Sequence, residues 1–302
     1  MRSAATDAKL LSTVRTLLEG AIDYAGLFPP SALSMSEAVI NYATYRNSNY
    51  SWMLGRFVVT AARLDEFYEH AADFISRDEG NAWRLSVIIG DDFAKTIDHI
   101  REFNARTPDG VVCDVVEHKL TTAGDAAHSV PEEITAYYEL SLGDELPDLV
   151  SAVALSGQRA KIRTGGVTAD AFPRSRQIVR FVRTCLAANV RFKATAGLHH
   201  PIRCYRPLTY EANAAQGTMH GFLNLFLMTG FARAGYRPNL LEDLMEEEFD
   251  EVFTFDASGV TWRDEYKLDQ FQLEAIRKYG IQAFGSCSFD EPVADLQKLG
   301  IL

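Results

Sequence analysis

Cysteine is scarce in this 302-residue chain, and its four copies, Cys113, Cys185, Cys204 and Cys287, form no CxxC pair and no disulfide-framework spacing. Free thiols in a reducing compartment are the expectation. Long apolar runs are absent too. The longest, 221–231, is too short to cross a bilayer, and the polar stretch 1–9 lacks the apolar core of a signal peptide. A cytoplasmic protein with no membrane partner is expected. Positive charge is in deficit: 30 Lys and Arg face 41 Asp and Glu, a net charge of −11, and no basic run is interleaved with aromatics. That balance argues against general affinity for nucleic acid. No GxGxxG or Walker-type loop follows the first predicted strand, which counts against a doubly wound nucleotide-binding sheet. No internal repeat or low-complexity segment stands out.

What is present is a regular alternation. Residues 6–19 carry a helical stripe of Leu10, Leu11, Val14, Leu17 and Leu18, and 34–45 read as a helix capped by Ser34. These make 1–50 an N-terminal helical extension. From residue 55 strands are expected at 56–60, 85–89, 111–117, 135–140, 160–163, 192–195 and 282–288, with helices between them, one at 172–188. The stretch 121–129 gives only a weak helical signal. A hairpin within 252–262 supplies or decorates an eighth unit. Strands alternating with helices imply parallel pairing and right-handed crossovers. The expected fold is a single α/β domain over 1–302: a (β/α)8, TIM-type barrel at 55–302 behind the extension.

Two lysines, Lys161 and Lys193, occupy matching places on consecutive predicted strands, each followed by threonine and glycine. A lysine inside a barrel is costly unless its charge or its amine is used. Strand alternation puts Val115, Glu117 and Lys119 on one face, Tyr137 and Glu139 on the next, then Lys161 and Arg163, then Lys193 and Thr195. Active sites of such barrels lie at the C-terminal ends of the strands, and Glu117, Glu139, Lys161, Arg163 and Lys193 all fall near those ends. Mutual pairing of these charges as a purely structural network is the competing reading. As chemistry, one lysine lowers the pKa of the other, freeing an amine for Schiff-base formation, while Glu117 and Glu139 move protons.

The segment 160–166 and Lys193 resemble the paired lysine strands of the deoxyribose-phosphate aldolase group of class I aldolases. The resemblance implies that Lys161 is the Schiff-base lysine, Thr164 and Gly165 its Thr-Gly turn, and Lys193 the tuning lysine. It also sets Asp114-Val115-Val116 beside a run that carries a catalytic carboxylate. Arg163 stands where that family has a small hydroxyl residue, 196–200 replace its Gly-Gly turn, and Asp114 has the opposite alternation phase from Glu117. Segments 23–30, 193–201 and 284–289 are similar to those of bacterial and plant proteins known only as β/α-barrel proteins of unassigned function.

Several other groups fit around this cluster. Arg163, Thr164, Gly165, Gly166, Thr195, His199 and His200 are candidate substrate contacts. His220 and the glycine after it precede an apolar helix, and Ser286 and Ser288 end the last strand; both places suit an anion or phosphate. Cys287 is a nucleophile or a small buried filler, with the filler preferred. Asp23-Tyr24 and the Phe28-Pro29-Pro30 turn cap one end of the barrel, as a floor or as a lid over the site. The expected function is an enzyme acting on a small anionic carbonyl compound, such as a keto acid, sugar acid or sugar phosphate. It would work as an aldolase-like lyase or isomerase with no cofactor. One alternative is a lyase or hydrolase with a divalent metal held by Glu117, Glu139, His199 and His200. Another is a non-catalytic ligand-binding barrel. Homo-oligomerisation is left open.

Overall fold

The computed structural model describes residues 11–76, 80–90, 92–108 and 110–302. The polar stretch 1–9, and the part of the first expected helix before residue 11, lie outside the described residues. Eight parallel strands close into a barrel: β1 (Ile22–Tyr24), β2 (Leu54–Thr60), β3 (Trp83–Ile88), β4 (Val111–Lys119), β5 (Thr135–Glu139), β6 (Arg159–Arg163), β7 (Phe192–Thr195) and β8 (Ile281–Ser286). Each strand lies beside its successor, and β8 pairs with β1. The (β/α)8 architecture is therefore present. Closure removes the sheet edges that an open sheet would leave unpaired.

The ring of helices follows from the apolar residues on the outer face of the strands. Phe57 and Val59 of β2, Ala136 and Tyr138 of β5, Ala160 and Ile162 of β6, and Phe192 and Ala194 of β7 are buried in the main apolar core. The helices packed around them are α1 (Ser12–Leu18), α2 (Met35–Arg46), α3 (Leu64–Ala71), α4 (Phe93–Arg106), α5 (Leu146–Leu155), α6 (Ser175–Ala187), α7 (Phe222–Arg233), α8 (Pro238–Met245), α9 (Gln270–Tyr279) and α10 (Asp290–Lys298). Ser34 caps α2 in a reciprocal box with Glu37, as its position before the helix predicts. Helix α7 buries every residue from Phe222 to Phe231, because α6, α8 and α9 surround it. The weak helical signal after β4 corresponds to a short 3-10 turn, Ala123–Ala127.

One expectation changes, and an open one is resolved. The first fifty residues are not an extension outside the barrel: they supply β1, and α2 completes the first β/α unit. Strand β1 has only three residues, all buried, so no alternation marks it in the sequence. Every later strand consequently counts one place higher. The hairpin expected near 252–262 is present but decorates the barrel and supplies no strand to it. Phe253–Asp256, Gly259–Trp262 and Tyr266–Asp269 form a separate antiparallel sheet.

Register explains which carboxylate of β4 enters the site. The β3–β4 pairing shifts between Leu85 and Ser86, whose partners are Cys113 and Val115, so Asp114 is passed over. Asp114 pairs instead with Arg56 at 2.7 Å and with Arg84. The resemblance to the aldolase carboxylate run at Asp114 therefore does not place that residue in the lysine cluster. Glu117 occupies that place.

Candidate active site

The interior charges meet at the C-terminal half of the barrel. Pairing of β6 with β7 sets Lys161 against Lys193, and pairing of β5 with β6 sets Glu139 against Lys161. Glu117 lies between the two lysines. Its Oε2 is 2.7 Å from the Lys161 Nζ, and its Oε1 is 2.5 Å from the Lys193 Nζ. Lys161 also reaches Glu139 at 2.7 Å, and Glu139 in turn accepts from the Arg163 Nε at 3.1 Å. The five residues expected to cluster do so, in one continuous network.

Three further residues complete it. Asp23 of β1 accepts from the Lys193 Nζ at 2.7 Å, and its other oxygen accepts from the Arg56 backbone N–H at 2.8 Å. Ser86 of β3 donates to Glu117 at 2.6 Å and accepts from Lys193 at 3.3 Å. The Lys193 ammonium stands 5.2 Å from the centre of the Tyr137 ring, within cation–π range. Sequence reasoning missed Asp23 and Ser86 as site residues. The available signal was modest: each is a lone polar residue in an apolar run. Tyr137 was already visible on the face it shares with Glu139.

The electrostatics follow from this packing. Burial works against the charge on Glu117, but the Lys161 and Lys193 ammonium groups outweigh it and hold the carboxyl well below the ordinary range. Burial likewise opposes the Lys193 ammonium, yet Asp23 and Glu117 raise its pKa above the ordinary value. For Lys193 the expected lowering by a neighbouring lysine is reversed, because carboxylates stand between the two cations. Glu139 is lowered by Lys161 and Arg163 against the opposing effect of burial. Asp23, Glu117 and Glu139 balance Lys161, Lys193 and Arg163 in formal charge.

A cavity of about 300 Å³ opens over the network and is lined by Glu117, Lys161, Arg163, Lys193, Thr195 and Gly166. Ala25, Phe28, Pro29 and Pro30 also line it. The turn after β1 therefore forms part of the cavity wall on the side of the lysine network. Met219, at the base of the antiparallel hairpin Cys204–Pro207 and Gln216–Met219, and Leu208, where its loop begins, contribute from another side.

The remaining candidates separate. Thr164 is buried and ties the ends of β6 and β7, its hydroxyl donating to the Ala196 carbonyl at 2.7 Å. Gly165 allows close approach: a Cβ there would lie 2.9 Å from the Gly197 Cα and 2.5 Å from the Phe172 ring. His199 lines the cavity and bonds Glu291 at 3.0 Å, whereas His200 turns to Asp295 at 2.6 Å. The set Glu117, Glu139, His199 and His200 is thus not drawn together around one point. Among the described residues, no group of three His, Cys, Asp or Glu side chains is arranged to hold a metal ion.

His220 is buried outside the cavity, its Nε2 donating to the Pro173 carbonyl at 2.8 Å. The N-terminus of α7 beside it is already occupied, since the Phe222 and Leu223 N–H groups donate to the carbonyls of His200 and Pro201. Ser288 accepts from the Glu291 N–H and Ser286 from the Ser288 N–H, so both serve the entry to α10. Both places expected to suit an anion are thus partly engaged by contacts within the fold.

Set against family models, curated proteins and solved structures, the chain matches none of them.

Proposed function

We propose that this barrel is an enzyme that forms a Schiff base between Lys161 and a small carbonyl compound bearing an anionic group, and that it makes or breaks a carbon–carbon bond beside the imine. The carrying observation is that Lys161 lines the cavity with two carboxylates at 2.7 Å, each placed to take its proton. Lys193 is the less suitable nucleophile, being held by Asp23, Glu117 and Ser86 and only 2% exposed. Its fixed charge instead keeps Glu117 ionised as a proton acceptor.

In this reading Lys161 passes a proton to Glu117 or Glu139 and its nitrogen adds to the carbonyl carbon. The carbinolamine takes the proton back on oxygen and loses water, leaving the imine. Cleavage of the bond to a hydroxyl-bearing carbon sends its electron pair into the imine as an enamine, and the hydroxyl proton to a carboxylate. Arg163, with its side chain 55% exposed at the cavity wall, is the cation for an anionic end of the substrate. The likeness to the deoxyribose-phosphate aldolase group supports this assignment through Lys161, Thr164, Gly165 and Lys193. Incubation with a panel of keto acids, sugar acids and sugar phosphates in the presence of borohydride should give a stable mass increase with at least one member. No increase with any member rules the reading out.

A further inference from the structure

Cys287 follows β8 directly and lines the same cavity as the two lysines. Its sulfur lies 3.9 Å from both ring nitrogens of His199 and 3.7 Å from the Tyr210 hydroxyl. The Nδ1 of His199 is 3.0 Å from Glu291 Oε2, and the Tyr210 hydroxyl donates to that same oxygen at 2.8 Å. Thiol, imidazole, carboxylate and phenol thus converge from the end of β8, the loop after β7, the first turn of α10 and the hairpin loop. A filler cysteine needs only an apolar slot, which is what Cys113 and Cys185 occupy.

We propose that Cys287 is a second nucleophile of the cavity, a thiol served by His199 as base and by Glu291 as the carboxylate orienting that base, which adds to small carbonyl carbons. His199 takes the thiol proton, and the sulfur lone pair forms the S–C bond while the carbonyl π pair moves to oxygen. That oxygen then receives the proton from His199, giving a hemithioacetal without any oxidant. The reverse sequence releases the carbonyl compound unchanged. The step shares the cavity of the proposed Schiff base but does not depend on it.

The surroundings agree with this role. Burial disfavours the thiolate, but His199 overcomes it and lowers the Cys287 pKa, whereas burial raises the other three thiols. Burial also opposes the imidazolium, but Cys287 and Glu291 bring His199 up to about 9. Glu291 is held below the ordinary range by His199 and Tyr210 against burial. Two phenols also face Cys287: burial pushes Tyr24 of β1 up to about 12, and burial with Cys287 and Glu291 raises Tyr210, so both stay neutral.

Iodoacetamide labelling of the full chain, mapped by peptide mass, tests the proposal. An ordinary thiol is only a few per cent ionised near pH 7. Cys287 is expected to label first, at least roughly tenfold faster at pH 6.5 than a free cysteine peptide. His199→Asn should remove that advantage, while continued protection of Cys113 and Cys185 reports an intact fold. Glyoxylate should slow the labelling of Cys287 in competition with the probe. Labelling at the free-peptide rate in the wild type, or an unchanged rate in folded His199→Asn, overturns the proposal. Cys287→Ser should still be trapped by borohydride on a lysine, so failure of the thiol role and failure of the Schiff-base reading register separately.

Discussion

The Lys193 ammonium meets the Asp23 carboxylate at 2.7 Å across 170 residues of chain. This contact joins the first strand of the barrel to the seventh inside the ring, where both side chains are almost fully buried. Lys193→Met leaves Asp23 and Glu117 without that cation. Breaking a buried pair from one side costs about 3–5 kcal/mol. Urea unfolding should show a loss of that size, partly recovered in the double variant Asp23→Asn/Lys193→Met. A loss below about 1 kcal/mol, the scale of surface pairs, would contradict the buried contact.

Acid should weaken the same network. Glu117 and Glu139 have folded pKa values below their ordinary 4.5, so their contribution is present above that pH and is lost as pH falls toward the folded values. The unfolding midpoint should therefore drop between about pH 5 and pH 3, and Glu117→Gln should flatten that slope. An equal slope in the variant would show that Glu117 does not carry the effect. Lys193 acts at the other extreme: its raised pKa makes its contribution fade as pH climbs past 10.5.

The sequence shows much of this site because strand alternation and barrel geometry are enough to bring Glu117, Glu139, Lys161, Arg163 and Lys193 together. Other parts are invisible to periodicity. β1 is too short to display alternation, so Asp23 is legible only as a lone acid between Ile22 and Tyr24. The shift in β3–β4 register decides between Asp114 and Glu117, and nothing local announces it. His199 and Glu291 meet across 92 residues, a contact that neither segment encodes alone. Near His220 and Ser286 the sequence does not show that backbone carbonyls engage the first N–H groups of α7, or that the serine oxygens accept from the entry to α10.

Close packing at the top of β6 and β7 gives another test. Gly197 has φ +73°, and a Cβ there would lie 2.9 Å from the Gly165 Cα and 2.7 Å from the Phe172 ring. Gly197→Ala should cost about 1–3 kcal/mol through strain and overpacking. Thermal melting checks the loss, and an unchanged midpoint would mean that this contact is not tight.

Arg163 should matter for binding rather than for fold. A charge-assisted hydrogen bond contributes about 1.5–3 kcal/mol, so Arg163→Gln should raise the half-saturating concentration of an anionic keto acid in borohydride trapping by at least roughly tenfold. A neutral aldehyde should be far less affected. Equal effects on both compounds would remove Arg163 from anion recognition.

Peptide mapping of the borohydride-reduced adduct addresses the central claim most directly. The adduct is predicted on Lys161, with Lys161→Met giving none and Glu117→Gln trapping more slowly than the wild type. An adduct confined to Lys193, or to exposed lysines away from the cavity, would contradict the assignment of Lys161 as the reacting amine.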